Sequence, residues 1–109
     1  FEDAVREIVR YGKYNIQLEI DIYYDVINSL LYQNNKEIDL SINERKLLEL
    51  FVSNQNKTIS TQEIKNTIWD DYEKATDSAL KSLLNKLRKK IGQECIKNVS
   101  GIGYHLTIQ

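Results

Sequence analysis

The apolar positions of this chain change period three times. In residues 1–13, FEDAVREIVRYGK, the apolar Phe1, Val5, Ile8 and Val9 recur at helical spacing, and Gly12 supplies a stop. From Ile16 the period becomes two: Ile16, Leu18, Ile20 and Ile22 alternate with Gln17, Glu19 and Asp21, which predicts a strand. Residues 25–29 read as a turn, 30–32 as a second strand, and Gln33–Lys36 as a hairpin turn, because Asn tolerates left-handed backbone. Residues 37–40 complete a small antiparallel sheet.

Helical spacing then returns. Ser41-Ile42-Asn43-Glu44 has the spacing of a capping box and opens a helix whose apolar side is Leu47, Leu48, Leu50 and Phe51, ending near Asn54. Ser60-Thr61-Gln62-Glu63 repeats the device for a second helix with Ile64, Ile68 and Trp69, the last expected in the core. An acidic loop, Asp70–Lys74, precedes a third helix that starts at Thr76 or Asp77, runs to about Ile91 and stops at Gly92. The tail returns to strands: 96–99, a glycine-bearing turn at Ser100-Gly101-Ile102-Gly103, then 104–108. The predicted organisation is a helix or linker over 1–14 and one α+β domain over 15–109.

On the third helix, Leu80, Leu84, Leu87 and Ile91 share one face, with Leu83 beside them. The opposite face carries Ser78, Ser82, Asn85 and Lys89. Lys86 flanks it on one side, and Lys81 and Arg88 on the other. Charge sharpens this picture. Residues 1–74 hold 9 basic and 14 acidic side chains, a balance of −5, whereas residues 75–109 hold 6 and 2, or +4. A chain whose total is −1 therefore gathers its positive charge near one helix, and binding depends on the face presented rather than on the total. Such a face suits a major groove, where Asn or Lys addresses base edges and flanking cations neutralise phosphates. It is equally the solvated side of an amphipathic helix.

Composition narrows the other classes. The 109 residues suit one domain with a modest core, and no apolar run is long enough to cross a bilayer. The chain starts at Phe1 and so reads as a piece of a longer protein. One cysteine, Cys95, allows no internal disulfide and no Cys-rich zinc site, fits a reducing cytosol, and is expected to be inert and half-buried. One histidine, His105, leaves little for metal or His-based catalysis. Gly101-Ile102-Gly103 is a weak phosphate-loop candidate because no helix follows it; positive φ in a hairpin explains its glycines better. No enzyme activity and no cofactor are expected.

The element order and five stretches carry a resemblance. These are Leu40–Glu44 with Leu47-Leu48, Ser60–Ile64 with Ile68-Trp69, Asp77 with Leu80 and Leu84, Leu87-Arg88-Lys89-Lys90, and Val99–Tyr104. In register, they resemble the C-terminal effector domain of OmpR/PhoB-type response regulators, over residues 36–106. The resemblance implies a winged helix-turn-helix: an N-terminal antiparallel sheet, three helices and a C-terminal β-hairpin wing. It implies a double-stranded DNA partner. Ser82, Asn85 and Lys86 would then meet the groove, with Ser78 on the same face. Lys81, Arg88, Lys89 and Lys97 would meet phosphates, and Asn98, Ser100 and Ile102 would lie near the adjacent backbone or minor groove.

Two copies would bind neighbouring half-sites, the Asp70–Lys74 loop could touch RNA polymerase, and residues 1–13 would be the tail of an upstream receiver domain. Ile42 stands where the family often has proline, Arg45 where an aromatic is common, Asn85 where many members carry Arg, and Ser100 in place of the usual wing arginine. The alternatives are a protein-interaction module that keeps the fold without binding DNA, and an orphan regulator that needs no phosphorylation.

Overall fold

The structure, a computed structural model, describes residues 15–107. The helix expected over 1–13 therefore lies outside the described residues.

Four short strands follow one another as a meander: β1 (Asn15–Glu19), β2 (Ile22–Asp25), β3 (Leu30–Gln33) and β4 (Lys36–Ile38), each antiparallel to the next. The single strand expected over 16–22 is in fact two. The chain reverses at Ile20-Asp21, Glu19 pairs with Ile22, and Ile20 is exposed at the turn. A two-residue reversal preserves the alternation on both sides, so period two runs through it unbroken. The turn expected at 25–29 is present. Asp25 is buried, and its carboxylate accepts from the Ile27 N–H, the Asn28 N–H and the Asn28 side-chain amide. The next turn rests on Asn34 and Asn35, both at positive φ (53° and 66°), as their left-handed tolerance predicts. Leu18, Ile22, Tyr24 and Leu31 face inward and are buried; across the other face the Tyr23 and Tyr32 rings stack with centroids 5.1 Å apart.

Helix α1 (Ile42–Ser53) begins at a complete capping box. The Glu44 N–H donates to Ser41 Oγ (3.1 Å), and the Ser41 N–H donates to Glu44 Oε1 (2.7 Å). Helix α2 (Thr61–Ile68) is capped by Ser60, whose hydroxyl accepts from the Glu63 N–H. Trp69 ends α2 and packs half-buried against the core. A 3-10 turn (Tyr72–Lys74) leads to α3 (Asp77–Ile91). The chain closes with β6 (Ile96–Val99) and β7 (Gly103–Leu106).

A strand not foreseen, β5 (Ile59–Ser60), pairs with β7 and makes the wing sheet three-stranded, in the order β5-β7-β6. Two residues show no period, so only the pairing partner reveals β5. Among the described residues the core joins both sheets and the three α-helices through Tyr24, Leu31, Leu47, Leu48, Phe51, Ile64, Leu84, Leu87 and Leu106, each almost fully buried. Leu83, expected at the edge of the stripe, is buried with it. Gly101 has the expected positive φ (78°), but Gly103 does not: it is required because the Ile59 carbonyl passes where a Cβ would sit.

Candidate nucleic-acid interface

The site is built from α3 outward. Thr76 Oγ1 accepts from the Ala79 N–H (3.1 Å) and starts the helix; Gly92, at φ 113°, ends it. Lys65 of α2 reaches Asp77 in the first turn of α3 at 2.5 Å, which fixes one helix on the other. The hydrogen bond and charge of Lys65 hold the Asp77 carboxyl below its ordinary range. Leu80, Leu83, Leu84, Leu87 and Ile91 face the core. That commits the remaining positions to solvent: Ser78, Lys81, Ser82, Asn85, Lys86 and Lys89 are all exposed. Lys81, Lys86 and Lys89 make no salt bridge among the described residues.

The two remaining cations of α3 are spoken for within the fold. Lys90 Nζ donates to Glu44 Oε1 (2.8 Å) and to the Asp39 carbonyl (2.6 Å). Arg88, expected beside the phosphate set, turns toward the wing instead. It is half-buried, its Nη2 donates to the Ile96 carbonyl (3.1 Å), and its guanidinium lies over the Tyr104 ring at 5.9 Å.

The wing lies next to this face. Lys97, Asn98, Ser100 and Ile102 are exposed, Ile102 at 60%. Lys97 shares its charge with Glu94 at 3.1 Å, so the wing carries little unpaired cation. The Thr61 N–H donates to the Ile102 carbonyl (3.3 Å) and ties the wing turn to the start of α2. Between α3 and the wing runs a cleft lined by Lys81, Leu84, Asn85, Arg88, Asn98 and Tyr104. The structure thus brings together Lys81 and Asn85 of the helix with Asn98 of the wing. Tyr104 belongs to the same cleft, and the only sequence signal for it was its place in the Val99–Tyr104 stretch.

The remaining candidates sit apart. His105 shares a hydrogen bond with Thr107 Oγ1 (2.9 Å) and is half-buried. Cys95 is buried, not half-buried. Its thiol donates to the Leu18 carbonyl (3.1 Å), and burial together with neighbouring Glu19 pushes its pKa up to about 12. Among the described residues there is no group of His, Cys, Asp and Glu suited to a metal ion, and no helix is long and apolar enough to cross a membrane.

A helical pair followed by a polar, cationic third helix and a hairpin beside it defines a winged-helix domain of the α+β class. The chain belongs to the family described as transcriptional regulatory protein, C terminal, whose model matches residues 35–106. That family consists of effector domains, not enzymes. Among curated relatives it is similar to the transcriptional regulatory protein QseB of Haemophilus influenzae, 34% identical over 100 residues, covering 89% of this chain and 44% of that protein. It is likewise similar to CrdR of Helicobacter pylori, 34% identical over 89 residues, covering 82% of this chain and 40% of that one. The chain spans less than half the length of these relatives. Its fold is that of the response regulator DrrB, a Thermotoga maritima OmpR/PhoB homologue (TM-score 0.75, 21% identity, 97% of this chain and 52% of that chain). It also matches the DNA-binding domain of the response regulator AdeR, solved with an intercistronic region (TM-score 0.66, 24% identity, 85% and 99%).

Proposed function

We propose that this domain is a sequence-specific, double-stranded DNA-binding transcription regulator, the effector part of a two-component response regulator. The observation that carries the reading is the solvent face of α3. Ser82, Asn85 and Lys86 stand clear of the leucine stripe with Ser78, Lys81 and Lys89 around them, and an α-helix presenting Asn and Lys fits a major groove. In this reading Ser82, Asn85 and Lys86 meet base edges. Lys81 and Lys89 meet phosphates, assisted by Lys97, while Asn98, Ser100 and Ile102 rest on the adjacent backbone. Two copies occupy half-sites about 10 bp apart. Residues 1–14 connect to a receiver domain, consistent with relatives more than twice as long as this chain.

The test is a duplex titration across salt concentrations, followed by selection from a random duplex pool. With Lys81 and Lys89 as the α3 contacts to phosphate, the log–log salt slope is expected to be about −1.8 per bound copy, at about 0.9 for each phosphate neutralised, and steeper by up to that amount where Lys97 joins them. Asn85→Ala and Lys86→Ala should each relax base preference by about 1–3 kcal/mol at one position, while Lys89→Ala weakens all duplexes alike and flattens the slope by about 0.9. Absence of salt-sensitive binding to any duplex would point instead to a protein-interaction module, a reading favoured by one feature, the nearly neutral wing.

The second surface is the 3-10 turn after α2. Tyr72 is 83% exposed there, between the exposed acids Asp71 and Glu73. We assign it to RNA polymerase. Replacing Asp71 and Glu73 with Ala should lower transcription in a reconstituted assay several-fold and leave the duplex affinity intact; an unchanged transcript yield would remove the assignment.

A further inference from the structure

Arg88 is the only cation of α3 that bonds the wing. Its side chain leaves the helix one turn after Asn85 and reaches across the cleft to both wing strands. Nη2 donates to the Ile96 carbonyl at the start of β6, and the guanidinium carbon lies over the Tyr104 ring of β7 at 5.9 Å. The Nε atom is buried and has no hydrogen-bond partner among the described residues. The covalent path between helix and wing is Gly92 and the short run to Cys95, with no regular structure of its own. Arg88 therefore bridges exactly the two elements whose relative angle decides whether α3 and the wing can meet one duplex together.

We infer that Arg88 is a positioning residue: it sets the wing against the reading face of α3 and does not serve as a phosphate contact. The inference rests on the DNA-binding reading above. It also accounts for a wing that holds its place with little charge. Lys97 is shared with Glu94 and the tip is Ser100-Gly101-Ile102, so orientation must come from inside the domain.

Two substitutions separate positioning from phosphate contact. Arg88→Lys keeps the charge but loses the planar fork that reaches both the Ile96 carbonyl and the Tyr104 ring. Positioning predicts about a tenfold loss of duplex affinity with the wild-type salt slope, and broadened base preference on the wing side of the selected sequence. Arg88→Met, which keeps the bulk without the charge, should show the same loss and again the wild-type slope. In a double-mutant cycle, Tyr104→Leu should cost as much as Arg88→Lys, and the double variant should be no worse than either. All titrations are run where thermal unfolding shows each variant folded, so a purely stabilising role leaves affinity and base preference unchanged.

Wild-type binding by Arg88→Lys, a slope flattened by about 0.9 in Arg88→Met, or additive losses in the cycle would each overturn the inference. A wild-type domain that binds no duplex overturns the functional reading and this inference with it. A binding wild type with an indifferent Arg88→Lys overturns this inference alone.

Discussion

Gly103→Ala is expected to disrupt the wing sheet and duplex binding together. Gly103 sits in β7, the central strand, opposite Val99 on one side and Ser60 on the other. A Cβ there would lie 1.9 Å from the Ile59 carbonyl oxygen, 2.8 Å from its carbon and 2.9 Å from Ser60 Cα. These are backbone atoms, so no side-chain rotation relieves the overlap. β5 must part from β7, and Ile59, buried in the core, goes with it. The expected cost is about 3 kcal/mol, the upper range for overpacking, or about 15 °C in unfolding midpoint for a domain of this size. Gly101→Ala is the control. Nothing lies within 4 Å of its added Cβ, and the only penalty is the positive φ of 78°, about 1 kcal/mol. Urea unfolding and a duplex titration on both variants decide the matter; equal midpoints for the two would contradict the steric account.

That contrast shows what kind of information the sequence holds. Local devices were legible in it: the Ser41–Glu44 capping box, the Asn34-Asn35 turn, the leucine stripe of α3 and the stop at Gly92 all depend on residues within a few positions of one another. So was the polar, cationic face, since a helix that buries Leu80, Leu84 and Leu87 must expose what lies opposite. Most of what escaped was set by partners distant in sequence: β5 exists because β7 passes beside Ile59, and buried Cys95 bonds the Leu18 carbonyl, 77 residues earlier. The reversal at Ile20 is local, but it hides inside an unbroken alternation. Gly101 and Gly103 look alike in a G-x-G and are needed for different reasons. Most consequentially, five cations on one helix look interchangeable in sequence. Three are free for an anionic partner, while Arg88 and Lys90 are drawn inward by a carbonyl, a ring and a carboxylate that only the fold brings near.

Lys90 leads to the second large effect, at the opposite end of α3 from the cap. Glu44 is 3% exposed and its Oε1 accepts from both the Ser41 N–H and Lys90 Nζ, while Lys90 also reaches the Asp39 carbonyl. One carboxylate thus closes the start of α1 and anchors the end of α3. Burial alone would raise its pKa. The hydrogen bonds from Lys90 and Ser41, with the Lys90 charge, together outweigh burial and hold the carboxyl below its usual range.

A folded-state pKa below the unfolded one means that the carboxylate form stabilises the fold at neutral pH. That contribution is present above the ordinary glutamate range and is lost as pH falls through the lowered folded value. Glu44→Ala removes half the capping box and leaves Lys90 without its counter-charge. Because Lys90 is partly exposed and can turn to water, the cost should fall at the low end for a broken buried pair, about 3 kcal/mol at pH 7. Glu44→Gln, which retains an acceptor for the Ser41 N–H, should cost less, about 1–2 kcal/mol. Measured against wild type by urea unfolding at pH 7 and again near pH 3, the Glu44→Gln deficit should shrink at the lower pH, where the wild-type carboxylate begins to take up its proton. A deficit that stays constant or grows toward acid would mean that the Glu44 charge does not hold α1 to α3.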